Sequence, residues 1–148
     1  MKNAIFYGIG NAIIGLLIGI LGENGAADSY EIFIWMTPLS AFLTGLIIWK
    51  IMVGKDNFLK KSTVIFTGLS TGVIYLVLSF ILSIIYLNLC YSLTGNCTFS
   101  SGEAPEGVFN MLPSALFFGF YALLWYGLIS VIGAIVTGLL IRKLKYSN

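Results

Sequence analysis

TVIFTGLSTGVIYLVLSFILSIIYLNL, residues 63–89, is 27 residues long and carries no charge. About 20 apolar residues are enough to cross the hydrocarbon core of a bilayer, so the stretch predicts a transmembrane helix. It also has an internal pattern. At about 100° per residue, Thr63, Thr67, Ser70 and Thr71 collect on one side. Gly68, Gly72, Ser79 and Ser83, with Tyr75 and Tyr86, collect on the opposite side. Lipid gains nothing from small or hydroxylated side chains, whereas helix contacts in lipid use both. Two such faces predict a helix packed on both sides, at the centre of a bundle, touching more of the other spans than any other helix does.

The rest of the composition fits that reading. Hydrophobic residues make up 58% of the 148-residue chain and charged residues 9%, against about 25% charged in a soluble domain. No polar stretch is long enough to build a second, soluble core, so the length predicts one domain, residues 1–148. The chain has no histidine. That removes His-ligated haem, His-containing metal sites, and every Ser-His or Cys-His catalytic pair.

Working outward, three more apolar runs flank the stretch. Residues 4–22 form the first span. Its Gly8, Ala12, Gly15, Gly19 and Gly22 step by four and three, which makes one narrow seam for a close helix contact. The basic start and Gly25-Ala26-Ala27 resemble a signal peptide, but the apolar run exceeds the usual 7–15 residues, so a retained span is expected. Residues 32–53 form the second span, with Pro38 in its first turns and Thr37, Ser40, Ala41 and Thr44 along one face. Trp35 and Trp49 suit an aromatic at each interface. Residues 113–141 form the fourth span, opened by Pro113 at the first turn, where proline is favoured.

Charge predicts the topology. All eight basic residues lie in three places: Lys2; Lys50, Lys55, Lys60 and Lys61; and Arg142, Lys143 and Lys145. With four spans, these places share one side. Five of the six acids, Glu23, Asp28, Glu31, Glu103 and Glu106, fall on the other. The positive-inside rule then puts both termini in the cytoplasm, and the plasma membrane is the expected location. Residues 23–31 and 90–112 become outer loops. The acids of the first loop lack the spacing of a 12-residue calcium loop, so solvated carboxylates are expected. The second loop holds the only cysteines, Cys90 and Cys97. On an oxidising side they should pair. Their spacing of six intervening residues is not that of a C-x-x-C redox motif.

No span carries a central charge, the usual mark of a functional site within a membrane. Asn11 is the most polar group near the middle of a span, and its ordinary role is a hydrogen bond between helices. No enzyme, cofactor or metal site is expected. The expected function is that of a non-catalytic component of a membrane assembly (a subunit, accessory or immunity-type protein) acting through its small-residue seams. The alternative is a small homo-oligomeric channel or carrier. Its polar path would be Asn11, Thr37, Ser40, Thr44, Thr63, Thr67, Ser70 and Thr71, since hydroxyls can line a selective path without charge. The expected partners are the bilayer and other membrane chains or further copies of itself. No basic arm is long enough for nucleic acid.

Overall fold

Each apolar run is one helix in the structure, a computed structural model that describes residues 2–25, 31–53, 60–98 and 103–146. The helices are α1 (Lys2–Gly25), α2 (Glu31–Met52), α3 (Lys61–Thr94) and α4 (Val108–Tyr146). All four are long and apolar enough to cross a membrane. The turn at Asp28 and the basic turn at Lys55 and Asp56 lie outside the described residues.

Two boundaries differ from the sequence expectation. α3 does not end at Leu89 but runs to Thr94, so Cys90 is helical. Nothing in Cys90-Tyr91-Ser92-Leu93 breaks a helix. The stop comes at Gly95, which takes a left-handed φ of 72° and bonds its N–H to the Tyr91 carbonyl at 2.9 Å. Pro113 does not open α4 either. The helix starts five residues earlier, after Gly107 at φ 95°, and Pro113 lies inside it. A proline there costs the helical bond to the carbonyl of Phe109, which is tolerated because Phe109 is exposed at the helix end. The 90–112 loop therefore shrinks to residues 95–107. α3 and α4 span about 51 and 58 Å at 1.5 Å per residue, well beyond the roughly 30 Å hydrocarbon core.

The helices form an antiparallel four-membered ring. α1 packs on α2, α2 on α3, α3 on α4 and α4 on α1, with no backbone contact along either diagonal. α3 is thus a corner of the ring and not its centre, with two neighbours like every other helix. The reason lies in its faces. Thr67 and Gly68 are consecutive, and consecutive residues are about 100° apart on a helix. Two faces at that angle suit a corner, whereas a centre needs them opposed.

The ring is built from two tight hairpins. In α1–α2, a Cβ on Gly15 would lie 2.9 Å from both Ala41 Cβ and the Thr37 carbonyl, and one on Gly19 2.9 Å from the Phe33 carbonyl. Gly8 meets Phe42 at 3.1 Å, Ala12 is half-buried, and at Gly22 the approach opens to 4.0 Å. In α3–α4, a Cβ on Gly68 or Gly72 would lie 2.7 Å from the Cα of Ile135 or Val131. Ser79 and Ser83 are buried on the same helix. The seams predicted from the sequence are filled by the chain's own helices.

Candidate functional site

Two apolar layers close the bundle. One holds Ala4, Tyr7, Trp49, Val53 and Val64, with the Tyr7 and Trp49 rings 4.5 Å apart and Gly138 of α4 against all of Tyr7, Trp49 and Val64. Trp49 is therefore buried in the core and is not the lipid-facing anchor expected from its position, whereas Trp35 is exposed. The other layer holds Ile18, Ala41, Tyr75 and Leu76. Beyond it, Phe33, Phe80 and Phe118 link α2, α3 and α4.

Between and along these layers runs a set of buried polar side chains contributed by all four helices. They are Asn11 of α1; Thr37, Ser40 and Thr44 of α2; Thr67, Thr71, Ser79 and Ser83 of α3; and Ser130 of α4. Most of the predicted path is here. Thr63 and Ser70 are only half-buried and stand at its margin.

Hydrogen bonding divides this set in two. A hydroxyl on a helix in an apolar medium ordinarily bonds back to a carbonyl three or four residues earlier. Ser40, Thr67, Ser79, Ser83 and Thr137 do so, at 2.7–2.9 Å. Ser40 also reaches across to the Tyr75 carbonyl at 3.1 Å, and Ser130 donates to the Gly72 carbonyl. These hydroxyls are structural. Thr37, Thr44 and Thr71 differ: each is at most 4% exposed and its hydroxyl has no hydrogen-bond partner in the protein. The same is true of the Tyr7 and Tyr75 hydroxyls and of Asn11 Oδ1. Asn11 spends its Nδ2 on the Tyr7 carbonyl at 2.8 Å, which leaves its oxygen free.

The six free oxygens are placed by the ring. Thr71 and Tyr75 are one turn apart on α3, and Tyr7 and Asn11 one turn apart on α1. Hairpin α1–α2 supplies four of the oxygens and hairpin α3–α4 two. Sequence reasoning missed Tyr7 and counted Tyr75 only as part of the seam. A tyrosine in an apolar run reads as a ring for packing, and only the tertiary structure shows its hydroxyl to be turned inward.

Among the described residues no group of three or more His, Cys, Asp or Glu could hold a metal. At the far end of the bundle, the sulfurs of Cys90 and Cys97 lie at bonding distance, with Cα atoms 5.7 Å apart. Beside it, Ile32, Trp35 and Met36 of α2 and Tyr86 of α3 line an open recess. Tyr86 thus faces α2 and is half-exposed, apart from the Gly68 and Gly72 side with which the sequence grouped it. Comparison of the chain with protein-family models, with curated proteins and with solved structures finds no match in any of the three.

Proposed function

We propose that the protein is a non-catalytic, multi-pass membrane carrier or conduit for a small solute, with its site in the polar layer between the two hairpins. Both termini face the cytoplasm in this reading, because the basic residues gather at the Lys2, Lys61 and Arg142 ends of the helices. The observation that carries it is the set of six buried oxygens without partners. In hydrocarbon each costs free energy, and a chain of this composition could have carried aliphatic side chains there instead. Three of the residues involved, Asn11, Thr44 and Thr71, fall near the middle of their spans, where transporter sites lie. In this reading the path expected between several copies lies within one chain.

Cysteine accessibility tests the reading. Thr71→Cys or Thr44→Cys should be labelled by a membrane-impermeant thiol reagent in sealed vesicles, more slowly than an end residue but measurably. Leu124→Cys, on the exposed face of α4, should stay unlabelled. If neither inner cysteine is reached from either side, the polar layer is no part of an aqueous path and the reading is lost.

A second reading keeps the chain as a subunit of a larger membrane assembly. Its small-residue seams no longer argue for it, since they are occupied internally. The face of α4 does. Tyr121 and Trp125, 50% and 67% exposed with rings 6.5 Å apart, present a hydroxyl and an indole N–H well inside the span. Tyrosine and tryptophan are usual at the interfaces, so these two polar groups would suit a partner helix.

A further inference from the structure

The geometry points to a binding site for an anionic phospholipid, its phosphate held by Lys61 of α3 and Arg142 of α4 at their shared end of the hairpin. The inference goes beyond the carrier-or-conduit reading and does not use it. It needs only that the helices lie in a bilayer.

The register of the α3–α4 seam places the pair. A Cβ on Gly68 would lie 2.7 Å from the Cα of Ile135, and one on Gly72 2.7 Å from the Cα of Val131. The helices are antiparallel, so each step back along α3 is matched by a step forward along α4. Seven residues from Gly68 and from Ile135 lead to Lys61 and Arg142. Seven steps of about 100° return to within about 20° of the starting direction, so both residues stay on the seam and at one level. Lys61 is exposed there and Arg142 half-buried. The other hairpin has no such pair. Lys50 is nine residues from Ala41, which meets Gly15, and nine steps carry it to the opposite side of α2. Lys2 is six residues from Gly8, which turns it about 120° from the seam of α1.

Charge asks for an anion. By sequence all eight basic residues belong to this end, against one acid, Asp56, in a turn outside the described residues. This end cannot neutralise itself from within the chain. Guanidinium and ammonium groups both bind phosphate, the first as a planar fork and the second as a point charge. Position makes the phosphate a lipid's. Lys61 stands two residues before the uncharged run 63–89, and Arg142 directly follows the uncharged run 113–141. That is headgroup depth, where basic residues attract anionic lipid. Below the pair, the outer side of the seam is apolar and open. Ile65 and Leu69 of α3 and Leu128 and Ile132 of α4 flank it and are exposed. An acyl chain along these four continues directly from a headgroup on Lys61 and Arg142, whereas a free phosphate would make no use of them.

The experiment is native mass spectrometry of the full chain in a neutral detergent, with phosphatidylglycerol, phosphatidylcholine or inorganic phosphate added. Phosphatidylglycerol should be retained at least about tenfold more tightly than either of the others. Lys61→Gln combined with Arg142→Gln should weaken it about 25-fold, since each basic group near anionic lipid contributes about fivefold. Lys2→Gln combined with Lys50→Gln removes the same charge from the same end and should cost less than about threefold. Lys61→Arg combined with Arg142→Lys keeps both charges and should bind within about threefold of the native chain. Size-exclusion elution and helical circular dichroism identify any variant that fails to fold, and the charge-keeping variant holds the test valid in that case. Equal losses in the two glutamine variants would show diffuse attraction and overturn the site. Phosphatidylcholine held as tightly as phosphatidylglycerol would leave only the apolar surface and overturn the headgroup contact. Inorganic phosphate held as tightly would make the ligand a free anion and overturn the lipid. None of these outcomes bears on the carrier reading, which thiol labelling tests separately.

Discussion

The contacts within each hairpin are closer and more numerous than the contacts between the hairpins. Within α1–α2 and α3–α4, glycines bring backbones so close that a single added carbon would collide, 2.7 Å from Val131 Cα at Gly72 and 2.9 Å from the Thr37 carbonyl at Gly15. Some polar groups beside these seams are satisfied, as with Ser130 on the Gly72 carbonyl. Between the hairpins the packing is sparser, and sparsest between α1 and α4. Helices in lipid gain no hydrophobic free energy by associating and rely on close packing and hydrogen bonds. The hairpins use both. Their mutual interface has fewer such features: the Ser40 hydroxyl donates to the Tyr75 carbonyl at 3.1 Å, and Gly10 and Gly133 meet the side chains of Thr137 and Ile14 rather than main chain.

The largest effect should come from breaking a seam. Gly72→Leu or Gly15→Leu would force two backbones apart, and over-packing costs about 1–3 kcal/mol even where only side chains must yield. Here the obstacle is main chain, so we expect more than about 3 kcal/mol and loss of the monodisperse elution peak in mild detergent. Gly127 supplies the control. A Cβ there would meet only Leu123 of its own helix, at 3.5 Å. Gly127→Ala should be neutral or stabilise by up to about 1 kcal/mol through helix propensity. If Gly72→Leu elutes like the native protein, the seams are ordinary glycine content and the contrast between the two kinds of interface fails.

Next is the closing layer. Trp49 is 3% exposed against Tyr7 and near Gly138, and truncating a buried tryptophan typically costs about 3–5 kcal/mol. Trp49→Ala should lower the thermal midpoint in detergent. It should also speed thiol labelling of Thr71→Cys from the Lys2 side. Lower stability without faster labelling would make this layer a packing element and not a closure.

How far the sequence could be read follows from the same contrast. The helices, their number and the seams were legible because each depends on a local signal: run length, absence of charge, and small residues at steps of three and four. The corner position of α3 was not, because the angle between its Thr67 and Gly68 faces was read as opposition. The ends near Thr94 and Val108 were missed because polarity ends a span but not a helix. α3 and α4 continue beyond the apolar stretch until Gly95 and Gly107 turn the chain. The buried polar residues were legible as a list of residue types. Which members are free was not, because Thr67 and Thr71 are the same residue one turn apart, and only their surroundings separate them.

A smaller effect is expected at the stapled end of α3. The link between Cys90 and Cys97 closes a loop of a few residues, and the chain-entropy relation gives about 2–3 kcal/mol at best for so short a loop. Reduction should therefore lower the detergent midpoint modestly, without changing elution or helical content. Thiol labelling should be absent before reduction and complete at both cysteines after it. Full labelling without reductant would show free thiols and would also remove an argument for placing this end on the oxidising side.

The smallest effect is the sharpest test, because the comparison turns on its sign. Thr67 and Thr71 are both fully buried on α3, one turn apart. Thr67 donates to the Thr63 carbonyl at 2.7 Å, whereas the Thr71 hydroxyl has no partner. Valine matches threonine in shape and removes only the hydroxyl. Thr67→Val should lose a net hydrogen bond of about 0.5–1 kcal/mol. Thr71→Val removes a polar group that is buried without compensation, so stability should hold or rise by up to about 1 kcal/mol. Unfolding titrations of the two variants in one detergent read the difference directly. Equal destabilisation would mean that Thr71 is held by the fold like its neighbour, and the free set would lose its distinction. Opposite signs, with Thr71→Val the more stable protein, would mark the residue as one kept at a cost in stability, the usual relation between a functional site and the fold that carries it.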